Sequence, residues 1–298
     1  MRLILVTNKS PHHLYWINSI IKEFKDTSVI FVNPVSTKKS RYIKLLKEYG
    51  IVWFLLRILS VIYNKFFRKS FMKELASLEK KIKDNDLRNF SMNNFDNIAC
   101  RSINSEDAIS FINKKNPDVV CFLGGDIAKK AFFESTRALV LNYHSGLSPF
   151  YNGSGTTFQS VAHHRPNFCG GTLMVMNERI DGGQILSYYM TQIEETDTAA
   201  TLFIKGIEGA IKLYNDFLDY YSKEKNYHSV KQERSLHYFR ANDWTLIEDL
   251  RVKNFQKYGR MAAFIRKSEI INIYNSFDRD IRWIYSMMLQ RTLSKGIK

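Results

Sequence analysis

The sequence has few cysteines, and it contains no internal repeat and no low-complexity tract. Cys100, Cys121 and Cys169 have no Cys-x-x-Cys spacing, which argues against a disulfide framework and indicates buried thiols in a reducing compartment. The apolar run at residues 2–7 is too short for a signal peptide and is typical of a first β-strand. We therefore expect a cytoplasmic protein.

A conspicuous apolar run covers residues 51–63, and Arg57 interrupts it. A transmembrane helix needs about 20 apolar residues, so this run is too short to cross a bilayer. The pattern predicts a helix that packs on the core or on a second copy of the chain in a homodimer. The alternative interpretation is an amphipathic helix on an anionic membrane, with residues 51–63 as a peripheral membrane contact.

The net charge of +15 is unevenly distributed along the chain. Residues 38–83 carry 13 Lys and Arg against 3 Asp and Glu, a net +10. Residues 225–298 carry 15 against 7, a net +8, so the rest of the chain sums to −3. Basic segments of this kind suit nucleic acid, an anionic membrane or a phosphorylated substrate.

Short apolar runs alternate with helical patterns, which predicts an α/β fold with an open, mostly parallel twisted sheet and flanking helices. Strands are predicted at residues 2–7, 28–33, 97–102, 118–123, 138–142, 170–176 and 184–189. Helices are predicted at 13–25, 105–114, 127–134, 155–164, 244–267 and 278–292, and from Asp197-Thr198 towards 221. We expect a main domain at 1–224 with a basic and apolar helical insertion at about 40–83, followed by a basic, mainly helical C-terminal region at 225–298.

Asn142 and His144 lie two residues apart near the end of an apolar strand, and Asp181 follows in an Asp-Gly-Gly turn. Side chains on a strand alternate between faces, so Asn142 and His144 should point to the same face. Open α/β sheets place their sites at the carboxyl ends of such strands. Taken alone, the Asn-x-His pair also fits a loop cap, and Asp-Gly-Gly also fits an ordinary hairpin turn.

These three side chains have the chemistry needed for acyl transfer to an amine. The amide of Asn142 can donate to the oxyanion that develops during transfer. The imidazole of His144 can exchange a proton near neutral pH, and the carboxylate of Asp181 can orient it. The amine can attack directly, so no serine or cysteine nucleophile is needed.

Residues 142–153, followed by residues 181–186 and Asp197-Thr198, resemble the signature of the folate-dependent formyltransferases. This family includes glycinamide ribonucleotide formyltransferase, methionyl-tRNA formyltransferase and the sugar N-formyltransferases. The resemblance covers about residues 90–220 and implies a Rossmann-like fold. It also implies transfer of a formyl group from 10-formyltetrahydrofolate to a primary amine, with Asn142, His144 and Asp181 as the catalytic residues.

The resemblance further implies that two loops hold the pterin of the folate, through backbone that approaches closely and therefore suits glycine. These loops comprise Leu123, Gly124, Gly125, Asp126 and Ile127 in the first, and Asn177, Glu178, Arg179, Ile180, Gly182 and Gly183 in the second. No metal is expected, because the adjacent His163 and His164 are poorly placed to converge on one ion.

Segments that depart from the family pattern bear on the identity of the amine. Residues 7–13 lack the glycines of a ribose-phosphate loop, which argues against a phosphoribosyl substrate. The tRNA enzyme carries a C-terminal β-barrel, whereas this tail is predicted to be helical. We therefore expect a nucleotide-linked amino sugar used in surface polysaccharide synthesis. Candidate contacts to it are Ser10, His12, His13, Tyr151, Asn152 and Gly153, although His12 and His13 also fit a solvent-exposed helix start.

Three other functions fit the same sequence. The charge of +8 in residues 225–298 favours a methionyl-tRNA-type formyltransferase with an atypical tail. Formyl-folate hydrolysis needs only water in place of the amine. A non-catalytic, membrane-associated binding protein with the same fold is the third alternative.

Overall fold

The computed structural model describes residues 1–33, 38–67, 71–177 and 183–275, together with residues 282, 286 and 289. The strands in these ranges are β1 (Leu3–Thr7), β2 (Thr27–Val32), β3 (Asn97–Cys100), β4 (Val119–Phe122), β5 (Leu139–His144), β6 (Tyr151–Gly153), β7 (Gly170–Val175), β8 (Gln184–Met190), β9 (Val230–Lys231), β10 (His237–Phe239) and β11 (Glu269–Asn272). The helices are α1 (Pro11–Glu23), α2 (Lys38–Phe67), α3 (Phe71–Asn85), α4 (Glu106–Lys115), α5 (Lys130–Glu134), α6 (Thr156–Ala162), α7 (Ala199–Glu224) and α8 (Leu246–Lys257).

One large open sheet organises the described residues, with strand order β11-β8-β7-β5-β4-β1-β2-β3 and β9 beside β8. Strands β3, β2, β1, β4 and β5 run parallel, while β7, β8, β9 and β11 extend the sheet with antiparallel pairings. A separate parallel pair joins β6 to β10. The α/β fold predicted from the sequence is confirmed.

Both faces of the parallel part are covered by helices, which explains its continuous apolar strands. In β1, Leu3 and Leu5 belong to the core cluster that includes side chains of α1 and α7. Ile4 and Val6 belong to the opposite cluster, which includes side chains of α4 and α5. The alternation of side chains along one strand therefore builds two apolar layers.

Helix α7 begins where the sequence predicts, because Thr198 is its N-cap and forms a capping box with Thr201. Asp197 lies just outside the helix, where its carboxylate accepts from the backbone N–H of Glu194 and pairs with Lys205. The start of the longest helix packed on the sheet is thus fixed by local side chains.

In the part of the chain that the structure describes, the insertion at about 40–83 is helical, as predicted, and consists of α2 and α3. Helix α2 is kinked at Gly50, whose φ of 78° is non-helical. The sequence predicted that the apolar residues of 51–63 pack on the core or on a second copy, and packing on the core is wrong for seven of them. These seven are exposed: Ile51, Val52, Leu55, Ile58, Leu59, Val61 and Ile62. The reason is that polar side chains on the opposite face of α2 bond to the tail. No described helix is long and apolar enough to span a bilayer.

The C-terminal region contains strands as well as helix. Helix α8 lies within the predicted 244–267, and strands β9 and β11 add to the main sheet beside β8. Most of the predicted helix at 278–292 lies outside the described residues. All three cysteines are free and buried, as the sequence predicts.

Candidate active site

Strand β5 presents Asn142 and His144 on one face of the sheet. The intervening Tyr143 and the preceding Leu141 point the other way, into the core beneath α7. Asn142 pairs in register with Phe122 at the end of β4 and with Met174 on β7. The predicted same-face arrangement is therefore confirmed, and it lies at the carboxyl ends of two parallel strands.

The ring of His144 is buried and held by a backbone carbonyl. Its Nε2 lies 2.9 Å from the carbonyl oxygen of Tyr151. A carbonyl can only accept, so Nε2 carries a proton and donates it in this bond. In the neutral ring, Nδ1 is therefore the nitrogen without a proton, which is the form that can act as a base.

Gly146 leaves the space that this arrangement needs. A Cβ at residue 146 would lie 2.3 Å from the carbonyl oxygen of Tyr151 and 2.8 Å from Nε2 of His144. The carbonyl oxygen of Gly146 accepts from Oγ1 of Thr172 at 2.7 Å, which anchors the loop to β7. The glycine thus allows the loop to turn back against the histidine.

We expect Gly146→Ala to lower turnover by displacing His144 from Tyr151. Overpacking of this kind typically costs about 1–3 kcal/mol of stability, which a domain can survive. Urea unfolding and steady-state rates of the variant test this expectation. Gly259→Ala is the control, because nothing lies within 4 Å of a Cβ at residue 259, which lies outside the cavity. Its φ of 61° makes alanine mildly strained there, so an equal loss of turnover in both variants would contradict the steric explanation.

A cavity of about 630 Å³ opens against Asn142 and His144. Most of the predicted site residues that the structure describes line it. They are Leu123, Gly124, Gly125, Asp126, Ile127, Asn177 and Gly183 from the two expected folate loops, and His13 and Gly153 from the expected acceptor contacts. The structure therefore brings the amide, the imidazole and both glycine-containing loops to one cavity.

The loop after β4 can approach a flat ligand through its backbone. Gly124 and Gly125 have φ values of 74° and 96°, in a region that favours glycine. The carboxylate of Asp126 accepts from the hydroxyl of Ser102 and from the backbone N–H of Ile103 at 3.0 Å. The Asp126 side chain therefore holds the loop in place, and the backbone of the loop is the part available to a ligand.

His13 reaches the cavity from α1 and is a buried imidazole. Oγ1 of Thr7 lies 2.6 Å from Nδ1 of His13 and donates its one proton to the carbonyl of Leu123, also at 2.6 Å. Nδ1 must therefore donate to Thr7, which leaves Nε2 as an acceptor. The backbone N–H of Asn8 is 3.5 Å from Nδ1, too far to reverse this assignment. Burial, with a smaller contribution from His12, lowers the pKa of His13 to about 3.

The depressed pKa of His13 predicts loss of stability in acid. An unfolded histidine titrates near 6.5, so below that pH the unfolded chain binds a proton that the folded chain does not bind until about pH 3. The free energy of unfolding should fall by up to about 1.4 kcal/mol per pH unit across this window. We expect His13→Gln to flatten this slope in urea unfolding between pH 6.5 and 4, and parallel curves would contradict the prediction. Above pH 7.5 both proteins should follow the same trend.

Four of the expected acceptor contacts lie away from the cavity wall. Ser10 precedes the first turn of α1, and Nδ1 of His12 pairs with Glu79 of α3 at 2.6 Å. Tyr151 is buried, and Asn152 joins Ser148 to Ser235 through its side chain. The alternative of solvent exposure for His12 and His13 is wrong, because both rings are buried.

Residues 238–242 also line the cavity, which the sequence did not predict. They follow from the pairing of β10 with β6, in which Phe239 lies beside Gly153. Gly153 has a φ of 93°, and a Cβ there would lie 2.0 Å from the carbonyl oxygen of Phe239. The requirement for glycine at 153 was the one sequence signal of this close approach. Phe203 and Ile207 of α7 also line the cavity.

The second expected folate loop is described only in part. Glu178, Arg179, Ile180, Asp181 and Gly182 lie outside the described residues, so the predicted role of Asp181 stays a prediction. Within the residues that are described, no group of three or more His, Cys, Asp or Glu side chains could hold a metal ion.

Comparison with known proteins adds independent evidence. Residues 70–217 match the family model described as formyl transferase. Over 132 residues the chain is 28% identical to a methionyl-tRNA formyltransferase of Pseudoalteromonas translucida. The aligned segment covers 44% of this chain and 41% of that protein. The aligned segment is thus less than half the length of this relative.

Two solved structures share the fold. An N-formyltransferase of Helicobacter canadensis, in complex with folinic acid and dTDP-3-aminofucose, has a TM-score of 0.52 and 16% identity, over 87% of this chain and 82% of that one. A sugar N-formyltransferase of Shewanella sp. has a TM-score of 0.51 and 15% identity, over 94% and 99%. Residues 70–217, just under half of the chain, therefore match the formyl transferase family, and the two solved structures share the fold of this chain.

Proposed function

We propose that this protein is an N-formyltransferase that moves a formyl group from 10-formyltetrahydrofolate to the primary amine of a nucleotide-linked amino sugar. The observation that carries the proposal is one cavity, lined by Asn142, His144, the loop at 123–127 and residues 238–242. Such a cavity has room for a donor and an acceptor to meet at the end of β5.

The described residues fit a folate. A pterin is flat, and the left-handed backbone of Gly124 and Gly125 leaves one side of the cavity free of Cβ atoms. Gly183 also lines the cavity, and a Cβ there would lie 2.0 Å from the carbonyl oxygen of Val175, so glycine allows the chain to pass close to β7 at this point. Leu123, Ile127 and Met176 add apolar lining that a heterocycle can contact. When bound, 10-formyltetrahydrofolate supplies the formyl carbon.

The roles we assign follow the chemistry of each side chain. Asn142 donates its amide N–H to the oxygen that gains negative charge. His144 accepts the proton that the attacking amine loses, and that proton can pass to the folate nitrogen that leaves when its bond to the formyl carbon breaks. The Nε2–H bond to Tyr151 fixes the ring meanwhile. Asp181 is the third catalytic residue that the family resemblance implies, and its carboxylate can accept from the Nδ1–H that forms when His144 takes the proton. His13 presents Nε2 as an acceptor, which suits an N–H or O–H of the acceptor molecule.

The acceptor would meet the wall formed by residues 238–242. Tyr238 offers an aromatic ring, and Arg240, whose Nη1 bonds to Glu48, offers its remaining N–H donors to a diphosphate. We propose residues 1–224 as the catalytic domain and 225–298 as the region that completes the acceptor side of the cavity. The buried free thiols suit a reducing compartment, so we propose that the reaction occurs in the cytoplasm.

An acceptor screen tests the proposal. The protein is incubated with 10-formyltetrahydrofolate and a panel of nucleotide-linked amino sugars, with charged methionyl-tRNA and an amine-free reaction in parallel. We expect mass spectrometry to detect a formylated nucleotide sugar. If only methionyl-tRNA is formylated, the acceptor is tRNA and not a nucleotide sugar. If no amine gives a formyl product, the proposed transferase activity is contradicted.

A further inference from the structure

The exposed face of α2 is apolar, although its segment of the chain is strongly basic. Ile51, Val52, Leu55, Ile58, Leu59 and Ile62 are between 41% and 68% exposed. With 3.6 residues per turn, these six positions fall within an arc about 120° wide and extend along about 16 Å of helix. They therefore form one continuous apolar face, and large apolar faces in contact with water usually mark interaction sites.

The opposite face of α2 is held against the tail by polar contacts. Nε1 of Trp53 donates to the carbonyl oxygen of Asn242 at 2.8 Å, and Arg57 donates to the carbonyl oxygen of Trp244. Oγ of Ser60 donates to the carboxylate of Asp249 at 2.8 Å. An ordinary surface helix packs its apolar face inward and its polar face outward. Helix α2 has the reverse orientation, and these bonds fix it.

The charge of the segment that carries this face indicates what the face contacts. Arg57 bonds to the tail on the opposite face, and the rest of residues 49–73 contain four Lys and Arg and no Asp or Glu, within a segment of net charge +10. Pairing two copies through this face would bring two such segments together, and their like charges would repel. An anionic lipid surface instead attracts the basic side chains and accepts the apolar ones. We infer that the apolar face of α2 docks on an anionic membrane surface, with the helix lying in the plane of the interface.

The docking helix contacts residues that line the cavity, and these contacts do not depend on the proposed reaction. Asn242, which accepts from Trp53, lines the cavity, and Arg240 in the same wall pairs with Glu48 at 2.7 Å. The membrane-facing helix is thus bonded directly to the cavity wall at residues 238–242.

Vesicle co-sedimentation of the full chain tests the inference. We expect binding to vesicles containing phosphatidylglycerol, weaker binding at high salt, and little binding to phosphatidylcholine alone. Leu55→Ser combined with Leu59→Ser should lower the apparent partition constant by about tenfold or more, because two apolar side chains that the membrane would bury are lost. The control is Leu236→Ser combined with Tyr258→Ser, two side chains that are 65% and 62% exposed elsewhere. That variant should bind like the wild type.

Three results would overturn the inference. The first is no sedimentation with anionic vesicles, and the second is equal binding by both double variants. The third is a dimer in light scattering that the Leu55 and Leu59 substitutions dissociate, since a second copy would then cover the face. Because both residues are exposed, thermal melts of the variants should match the wild type and show that the loss is not unfolding. None of these readouts requires catalysis.

Discussion

Replacing His144 by asparagine should lower the rate of formyl transfer by about 10²–10⁴-fold, the usual contribution of a positioned acid–base group. Asparagine keeps an N–H donor, so the bond that Nε2 makes to the carbonyl of Tyr151 at 2.9 Å can be retained in part. It has no group that exchanges a proton near neutral pH. The fold should therefore survive while the proton transfer is lost, and kcat should fall more than the KM for the amine changes.

His164→Asn is the matched control for this substitution. His164 is exposed and has a φ of 59°, where asparagine is well tolerated. It lies outside the cavity that Asn142 and His144 line. We expect wild-type kcat for His164→Asn under single-turnover and steady-state conditions. A wild-type rate in His144→Asn, with normal thermal stability, would remove His144 from the mechanism.

The second large effect is expected for Asn142→Asp. The two side chains have nearly the same shape, but the carboxylate cannot donate to a developing oxyanion and repels it instead. Removal of one such donor typically lowers the rate by about 10²–10³-fold. Binding of 5-formyltetrahydrofolate, measured by titration calorimetry, should change much less than the rate. That split would assign the effect to the reacting oxygen and not to folate affinity.

Asn93→Asp makes the same chemical change at an exposed position on the surface. Its rate should equal that of the wild type. If Asn142→Asp loses folate binding and rate in equal proportion, Asn142 holds the donor molecule and does not stabilise the oxyanion.

The placement of Asn142 and His144 was predictable because it depends on local rules. A strand alternates its faces, so the spacing of the two residues on β5 determines that they share one. The left-handed loop at Gly124-Gly125 and the helix start at Thr198 were equally local, since each depends on the residue types at those positions. These elements place most of the described candidate site.

Two other features depend on contacts between distant parts of the chain. The wall at 238–242 exists because β10 pairs with β6, and only the glycine at 153 hints at that approach. The outward orientation of the apolar face of α2 depends on partners for Trp53, Arg57 and Ser60 in the tail. An apolar run by itself favours burial, so the hydrophobic pattern predicted the opposite orientation.

The destination of the formyl carbon is the most direct test of the proposed reaction. The wild-type protein is mixed with 10-formyltetrahydrofolate labelled with ¹³C at the formyl carbon and with a nucleotide-linked amino sugar, and the label is followed by NMR. Transfer at the cavity beside Asn142 and His144 predicts that the label appears in an amide of the sugar, at the same rate as tetrahydrofolate is released. Label that appears as formate, or that stays on the folate, would contradict it.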